Sequence, residues 1–101
     1  MVIVTLIGSN KQREEFDRIN RILTLRGYVV FSLGVWDCDD PKLKPILTKV
    51  HAKKIGNADY IVIIRKSDGS IGEHTSKEIE IAKAIGKSIF EVEEILGEKL
   101  L

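Results

Sequence analysis

Val2-Ile3-Val4-Thr5-Leu6-Ile7, followed at once by Gly8-Ser9-Asn10, decides the class of fold. The run is almost wholly apolar and largely β-branched, with no alternation of polar residues. That pattern marks a strand buried on both faces, which occurs where helices cover both sides of a sheet. Gly8-Ser9-Asn10 then turns the chain, and Ser9 or Asn10 can cap a following helix. Residues 11–26 supply that helix: Phe16, Ile19, Ile22 and Leu23 recur at helical spacing, and Gly27 ends it.

The alternation continues outward from this unit. Tyr28 to Leu33 reads as a second strand and residues 34–41 as a loop. A second helix is expected over 42–55, with Leu43, Ile46, Leu47, Val50 and Ile55 facing inward. Pro45 suits its first turn, which puts the start near residue 44. Gly56-Asn57 breaks it, and Ala58-Asp59 leads into a third strand, Tyr60 to Ile64. Arg65 to Gly72 is a loop, a third helix runs to Gly86, Ser88 to Val92 is a fourth strand, and residues 93–101 close the chain as a short helix. The order βαβαβαβ predicts right-handed crossovers and a parallel sheet. The expected architecture is a single α/β domain over residues 1–101, a flavodoxin-like three-layer sandwich. Its parallel sheet has four to five strands in the order 2-1-3-4. Such sheets bind ligands outside the carboxyl ends of the strands, where the strand order reverses. Here that point lies between strands one and three, beside Gly8-Ser9-Asn10 and the 65–72 loop.

Composition narrows the function classes. The 101 residues carry a net charge of +1, with Lys and Arg spread along the chain. There is no basic patch for a nucleic-acid polymer or an anionic membrane. The one cysteine, Cys38, excludes an internal disulfide framework and fits a reducing compartment, so a cytoplasmic protein is expected. The apolar start lacks a basic lead and a cleavage site, and it is too short to span a bilayer. No Cys, His and Asp cluster has metal spacing, and no motif calls for a cofactor. Asp37-Cys38-Asp39-Asp40 lacks the glycine and terminal Glu of a calcium loop. Trp36 either stacks a base or covers the edge of the core. The acids around Cys38 argue against a nucleophilic thiol.

Three segments carry candidate chemistry. Gly8-Ser9-Asn10 offers N–H groups to an anion or to sugar hydroxyls, or is a simple tight turn. It is neither a Walker loop nor GxGxxG, it lacks a receiver domain's acidic pair, and one Ser is thin for a flavin phosphate loop. Asp68, Gly69, Ser70 and Gly72 form a loop with two glycines and several polar groups, followed by His74, Thr75 and Ser76 in the third helix's first turn. This is either a ligand loop or an ordinary capped connection. The third segment is Glu78 itself. On a helical wheel Ile79, Ala82, Ile85 and Ile81 share an apolar arc, and Glu78 falls near its middle. A carboxylate facing a core is costly unless it is paired, protonated or open to a cleft. A semi-buried Glu bonded to a neighbouring loop is the plainer reading.

The run Ala58-Asp59, Asp68-Gly69-Ser70-Ile71-Gly72, Thr75-Ser76-Lys77-Glu78-Ile79, Ala82 and Gly86-Lys87 resembles the nucleoside 2-deoxyribosyltransferase family and its small relatives. Glu78, Ile79, Ala82, Gly86 and Lys87 keep the family's Glu-Leu/Ile-x-x-Ala-x-x-x-Gly-Lys spacing. The resemblance implies that Glu78 is a nucleophile that attacks C1′ of a deoxyribosyl group. A second base or water then takes the sugar, by the logic of a retaining glycosidase. It also implies a nucleoside or nucleotide ligand, no cofactor, and a homodimer or higher homo-oligomer in which a neighbouring subunit closes the site. The expected substrate-binding set is Gly8, Ser9, Asn10, Asp68, Gly69, Ser70, Gly72 and Thr75. His51 stands where family members carry an Asp, eight residues before Asp59. A histidine there can protonate a leaving base near neutral pH. The loop before Glu78 is longer than in the nucleoside enzymes, and Leu96 to Leu101 is a short tail. The expected activity is deoxyribosyl transfer or hydrolysis. The competing expectation is a nucleotide-binding or sensing module without catalysis, and a third is an interaction domain whose apolar carboxyl end serves only dimerisation.

Overall fold

A computed structural model of the chain describes residues 1–97. Its elements are β1 (Ile3–Gly8), a 3-10 turn at Asn10–Gln12, α1 (Arg13–Leu25), β2 (Val29–Phe31), α2 (Lys44–Gly56), β3 (Tyr60–Ile64), α3 (Glu73–Ala84), β4 (Ser88–Glu91) and α4 (Val92–Gly97). The four strands pair in the order β2-β1-β3-β4, all parallel, with Val4 opposite Val30 on one side and Tyr60 on the other. This is the expected flavodoxin-like arrangement. The closing helix is described to Gly97, and residues 98–101 of the short tail lie outside the described residues.

The two faces of the sheet are sorted by strand alternation. Val4, Leu6, Val62 and Ile64 pack against Phe16, Ile19 and Leu23 of α1 and Ile95 of α4. Ile7, Ile61 and Ile63 face the other way, against Ile55 of α2 and Ala82 of α3. With helices on both sides, the central strands are apolar at nearly every position, which is why β1 and β3 read as almost unbroken runs. Thr5 is a fully buried polar residue of β1, and its hydroxyl donates to the Lys54 carbonyl at 2.7 Å. That bond fixes the last turns of α2 against β1.

Helix α2 departs from the sequence reading. Leu43, Ile46 and Val50 are exposed rather than inward, and Leu47 is only half-buried. The face toward the sheet carries His51 and Ile55. Of the expected inward residues Ile55 is buried as expected, and beside it the inner side carries the polar His51. Helix α3 is rotated relative to its expected arc. Thr75, Glu78 and Ala82 are buried, while Ile81 and Ile85 are half exposed. Trp36 meets Phe16 edge-to-face at 5.0 Å and carries the Arg13 guanidinium 5.7 Å from its ring centre. It closes the edge of the core.

Arg65, just after β3, fixes the loop that leads to α3. It donates to both oxygens of Glu91 at 2.8 Å and to the Gly69 carbonyl at 3.0 Å. The Arg65 guanidinium, through these hydrogen bonds, holds the Glu91 carboxyl below its ordinary range. A carboxyl depressed in the folded state adds stability above its unfolded pKa, and that stability is lost as pH falls through the folded value. Glu91→Gln is therefore expected to lower the urea midpoint at pH 7 and to leave it nearly unchanged at pH 2. Equal losses at both pH values would contradict the assignment.

Among the described residues no helix is long and apolar enough to cross a membrane. Nor does any group of three His, Cys, Asp or Glu side chains sit where it could hold a metal ion.

Candidate functional site

A cleft of about 530 Å³ opens at the carboxyl ends of β1 and β2, between α2 and the start of α3. That volume lies within the usual range for small-ligand sites. Gly8, Ser9 and Asn10 form one edge, and Leu33, Val35 and Cys38 of the long β2–α2 connection form another. Helix α2 contributes Lys44, Leu47, Thr48, Val50, His51 and Lys54, and α3 contributes Gly72, Glu73, His74, Thr75 and Glu78.

Glu78 and His51 meet on the wall of this cleft. His51 Nε2 lies 2.9 Å from Glu78 Oε2, and the two residues are only 8 % and 6 % exposed. The short distance does not make an aligned hydrogen bond: both ring nitrogens of His51 are buried without a hydrogen-bond partner among the described residues. The contact is thus an electrostatic one with unused directionality. An unpaired buried nitrogen costs about 1–3 kcal/mol, which a bound ligand can relieve. His74 adds a second imidazole, exposed to solvent, with Nε2 at 3.9 Å from the same carboxylate oxygen.

Local structure explains why these groups converge. Gly72 precedes α3 in an extended conformation and makes no side-chain cap, so the first N–H groups of the helix end at the cleft. Thr75 and Glu78 follow on its inner face. Helix α2 offers Lys44, Thr48, His51 and Lys54, spaced four, three and three residues apart, which is one stripe of an α-helix. The structure gives that polar stripe to the cleft together with Leu47 and Val50, and leaves Leu43 and Ile46 exposed outside it.

Gly8, Ser9, Asn10, Gly72, Thr75, His51 and Glu78 thus come together, as the sequence led us to expect. Asp68, Gly69 and Ser70 do not join them. Asp68 Oδ1 accepts from the Ser70 hydroxyl at 2.6 Å and from the Ser70 N–H at 2.9 Å. The hydroxyl first, and then the backbone N–H, hold the Asp68 carboxyl below its ordinary range. Gly69 turns the chain at a φ of 84° and lines a separate shallow groove with Arg65 and Glu91. This turn is tied to β4 and drawn away from the cleft, which shifts the cleft from the expected β1–β3 boundary toward β2 and α2.

The expected site set lacked Lys44 and Lys54, and it lacked His74 although the segment that carries it was singled out. Lys54 belongs to the stripe just described. His74 is four residues before Glu78, a spacing that makes helical neighbours. Ser9 acts locally, its hydroxyl accepting from Lys11 N–H at 3.2 Å. Gly8 has a packing reason as well as a place at the cleft. A Cβ there would stand 2.4 Å from the Ile64 carbonyl oxygen and 3.2 Å from Phe16 Cε2. Backbone cannot yield as a side-chain tip can, so Gly8→Ala should destabilise the fold by about 1–3 kcal/mol. A denaturant titration checks this, and an unchanged midpoint would contradict it.

Compared with models of known protein families and with curated proteins, the chain matches none.

Proposed function

We propose that the protein is a nucleoside or nucleotide N-glycosidic-bond enzyme. It transfers or hydrolyses a deoxyribosyl group through Glu78, as the likeness to nucleoside 2-deoxyribosyltransferases implies. One observation carries the reading: a buried carboxylate on a cleft wall touches an imidazole that has a free nitrogen.

The chemistry that fits is a double displacement. A Glu78 oxygen bonds to C1′ as the C1′–N bond breaks, and the electron pair leaves on the base. The leaving nitrogen takes a proton from His51 in its protonated form. Water, or the nitrogen of an incoming base, then attacks C1′. The bond to Glu78 breaks, its electron pair returns to the carboxylate, and His51 takes the attacker's proton. Two easier steps replace one hard one. The exposed apolar side chains of α2 and α3 support association of two or more copies, which would place a neighbour beside the cleft.

The second reading, a nucleotide-binding module without catalysis, draws support from the same contact. With His51 at 2.9 Å, one Glu78 oxygen already has a neighbour before any sugar arrives. Chromatography of a panel of 2′-deoxynucleosides and their 5′-monophosphates, incubated with the protein, separates the two. Released free base supports the enzyme. Saturable binding with no release across the panel supports the module and removes the enzyme reading.

A further inference from the structure

The contact between His51 and Glu78 is too short for the chemistry it faces. In a double displacement the anomeric carbon lies between the nucleophile and the group that protonates the leaving base. The paired groups of retaining glycosidases stand about 5–5.5 Å apart for that reason. His51 Nε2 is 2.9 Å from Glu78 Oε2, and no sugar carbon fits between atoms already in contact. The two side chains must part before a sugar enters.

Helix α2 is anchored at one end only. At its carboxyl end, Ile55 is buried with Ile7, Ile61 and Ile63 of the sheet. The Thr5 hydroxyl donates to the Lys54 carbonyl at 2.7 Å, and the Lys54 ammonium donates to the Ser32 carbonyl at 2.7 Å. The amino-terminal half is different. From Lys44 to Val50 no residue is buried, and only Leu47 is half-buried. Ile46, Leu47 and Val50 join neither apolar cluster. Among the described residues, no side-chain hydrogen bond or ion pair ties this half to the sheet or to α3. His51 is the first buried residue along the helix, and its hold on α3 is loose, because both ring nitrogens lack an aligned partner. An element with little buried apolar surface and few tertiary bonds opens at low cost.

We propose that α2 is a hinged lid: it pivots about Lys54 and Ile55, and the His51–Glu78 contact is the latch that covers the carboxylate until a sugar parts the pair. The inference rests on the glycosidic reading of the same cleft, and it accounts for the neighbour that Glu78 has before any sugar arrives. Hinges of this kind lie at the ends of elements, as Lys54 and Ile55 do. A ligand opens the lid only through contacts that the closed state lacks. Here the anomeric carbon gives Glu78 such a contact, and the leaving base gives one to His51. Displacement grows with distance from the pivot. His51 is four residues from Ile55 and Ile46 is nine, so a shift of about 2 Å at His51 becomes roughly 4–5 Å at Ile46.

Electron–electron resonance distances between two nitroxides test this. The labels are carried on p-acetylphenylalanine, which leaves Cys38 in place. One pair replaces Ile46 and Glu80, and the control pair replaces Lys53 and Glu80; all three positions are exposed and outside the cleft lining. The probes are 2′-deoxynucleosides and their 5′-monophosphates, bound to the Glu78→Gln variant so that they are not turned over. Labelled wild type frozen during turnover replaces that variant if it does not fold. Bound substrate should lengthen the 46–80 distance by about 4–5 Å and the 53–80 distance by less than about 1 Å. An unchanged 46–80 distance under saturating substrate, in a protein whose unsubstituted form releases base, would overturn the lid and leave the glycosidic reading standing. Equal lengthening of both pairs would overturn the pivot, since the whole helix would then move. The expected lengthening on saturable binding, with no base released by the unsubstituted protein, would retain the lid and remove the enzyme. Absence of both binding and base release across the panel would overturn both.

Discussion

Glu78→Gln is expected to abolish base release while leaving the fold intact. The substitution keeps the size and shape of the side chain and its place on the inner face of α3, beside Thr75 and Ala82. It removes the anionic oxygen that would bond to C1′, and a carboxamide oxygen is a poor nucleophile. Losing the group that forms a covalent intermediate lowers kcat on the order of 10⁴-fold or more. The carboxamide keeps a polar neighbour of the same shape beside the His51 ring, so any loss of thermal midpoint should be smaller than for removal of that ring. Steady-state base release and a melting curve, measured on the same preparation, check both halves. Undiminished release by Glu78→Gln would take the nucleophile's role away from this residue.

His51→Leu is expected to have the largest effect on stability among changes at the site. The imidazole is the nearest polar neighbour of the Glu78 carboxylate, and both residues are buried. Removing one member of a buried pair leaves the other uncompensated, at about 3 kcal/mol or more. For a domain of this size that corresponds to a fall of roughly 10–20 °C in Tm. Replacing both residues, in His51→Leu/Glu78→Met, removes the stranded charge and fills the space with apolar volume, so most of the stability should return. A double-mutant cycle by urea denaturation reads the coupling directly. Additive losses would mean that the 2.9 Å contact carries no stabilising interaction. Base release by His51→Leu should also fall by about 10²–10⁴-fold, the usual contribution of a general acid–base group.

Local pattern carried the fold. The unbroken runs of β1 and β3 announced a sheet covered on both faces, and the glycines after α1 and α3 marked real helix ends with positive φ at Gly27 and Gly86. Glu78 was legible for a related reason, as a carboxylate inside the apolar arc of a helical wheel, although the face it shares in the fold is that of Thr75 and Ala82. What local pattern does not carry is which of two stripes on a helix turns inward. On α2 Leu43 and Ile46 lie outside, while Lys44, Thr48, His51 and Lys54 line a cleft. Burial of polar groups such as His51 and Lys54 is settled by what faces them. For His51 that is Glu78 on another helix, and for Lys54 it is a carbonyl 22 residues away at the end of β2. The Asp68 loop was misplaced on similar grounds. Its glycines and hydroxyls resemble a ligand loop, but the bond from Arg65 to Glu91 spans 26 residues and nothing nearby in sequence signals it.

The central claim is that Glu78 forms a bond to the sugar. Intact-mass spectrometry of the protein, quenched in acid during turnover of a deoxynucleoside or its 5′-monophosphate, tests that claim most directly. The expected result is an added mass equal to one deoxyribosyl or deoxyribosyl-phosphate group. Peptide mapping should assign it to the segment that contains Glu78, and Glu78→Gln should not acquire it. Base release with no adduct on wild type under rapid quenching, or an adduct mapped to another residue, would contradict the account.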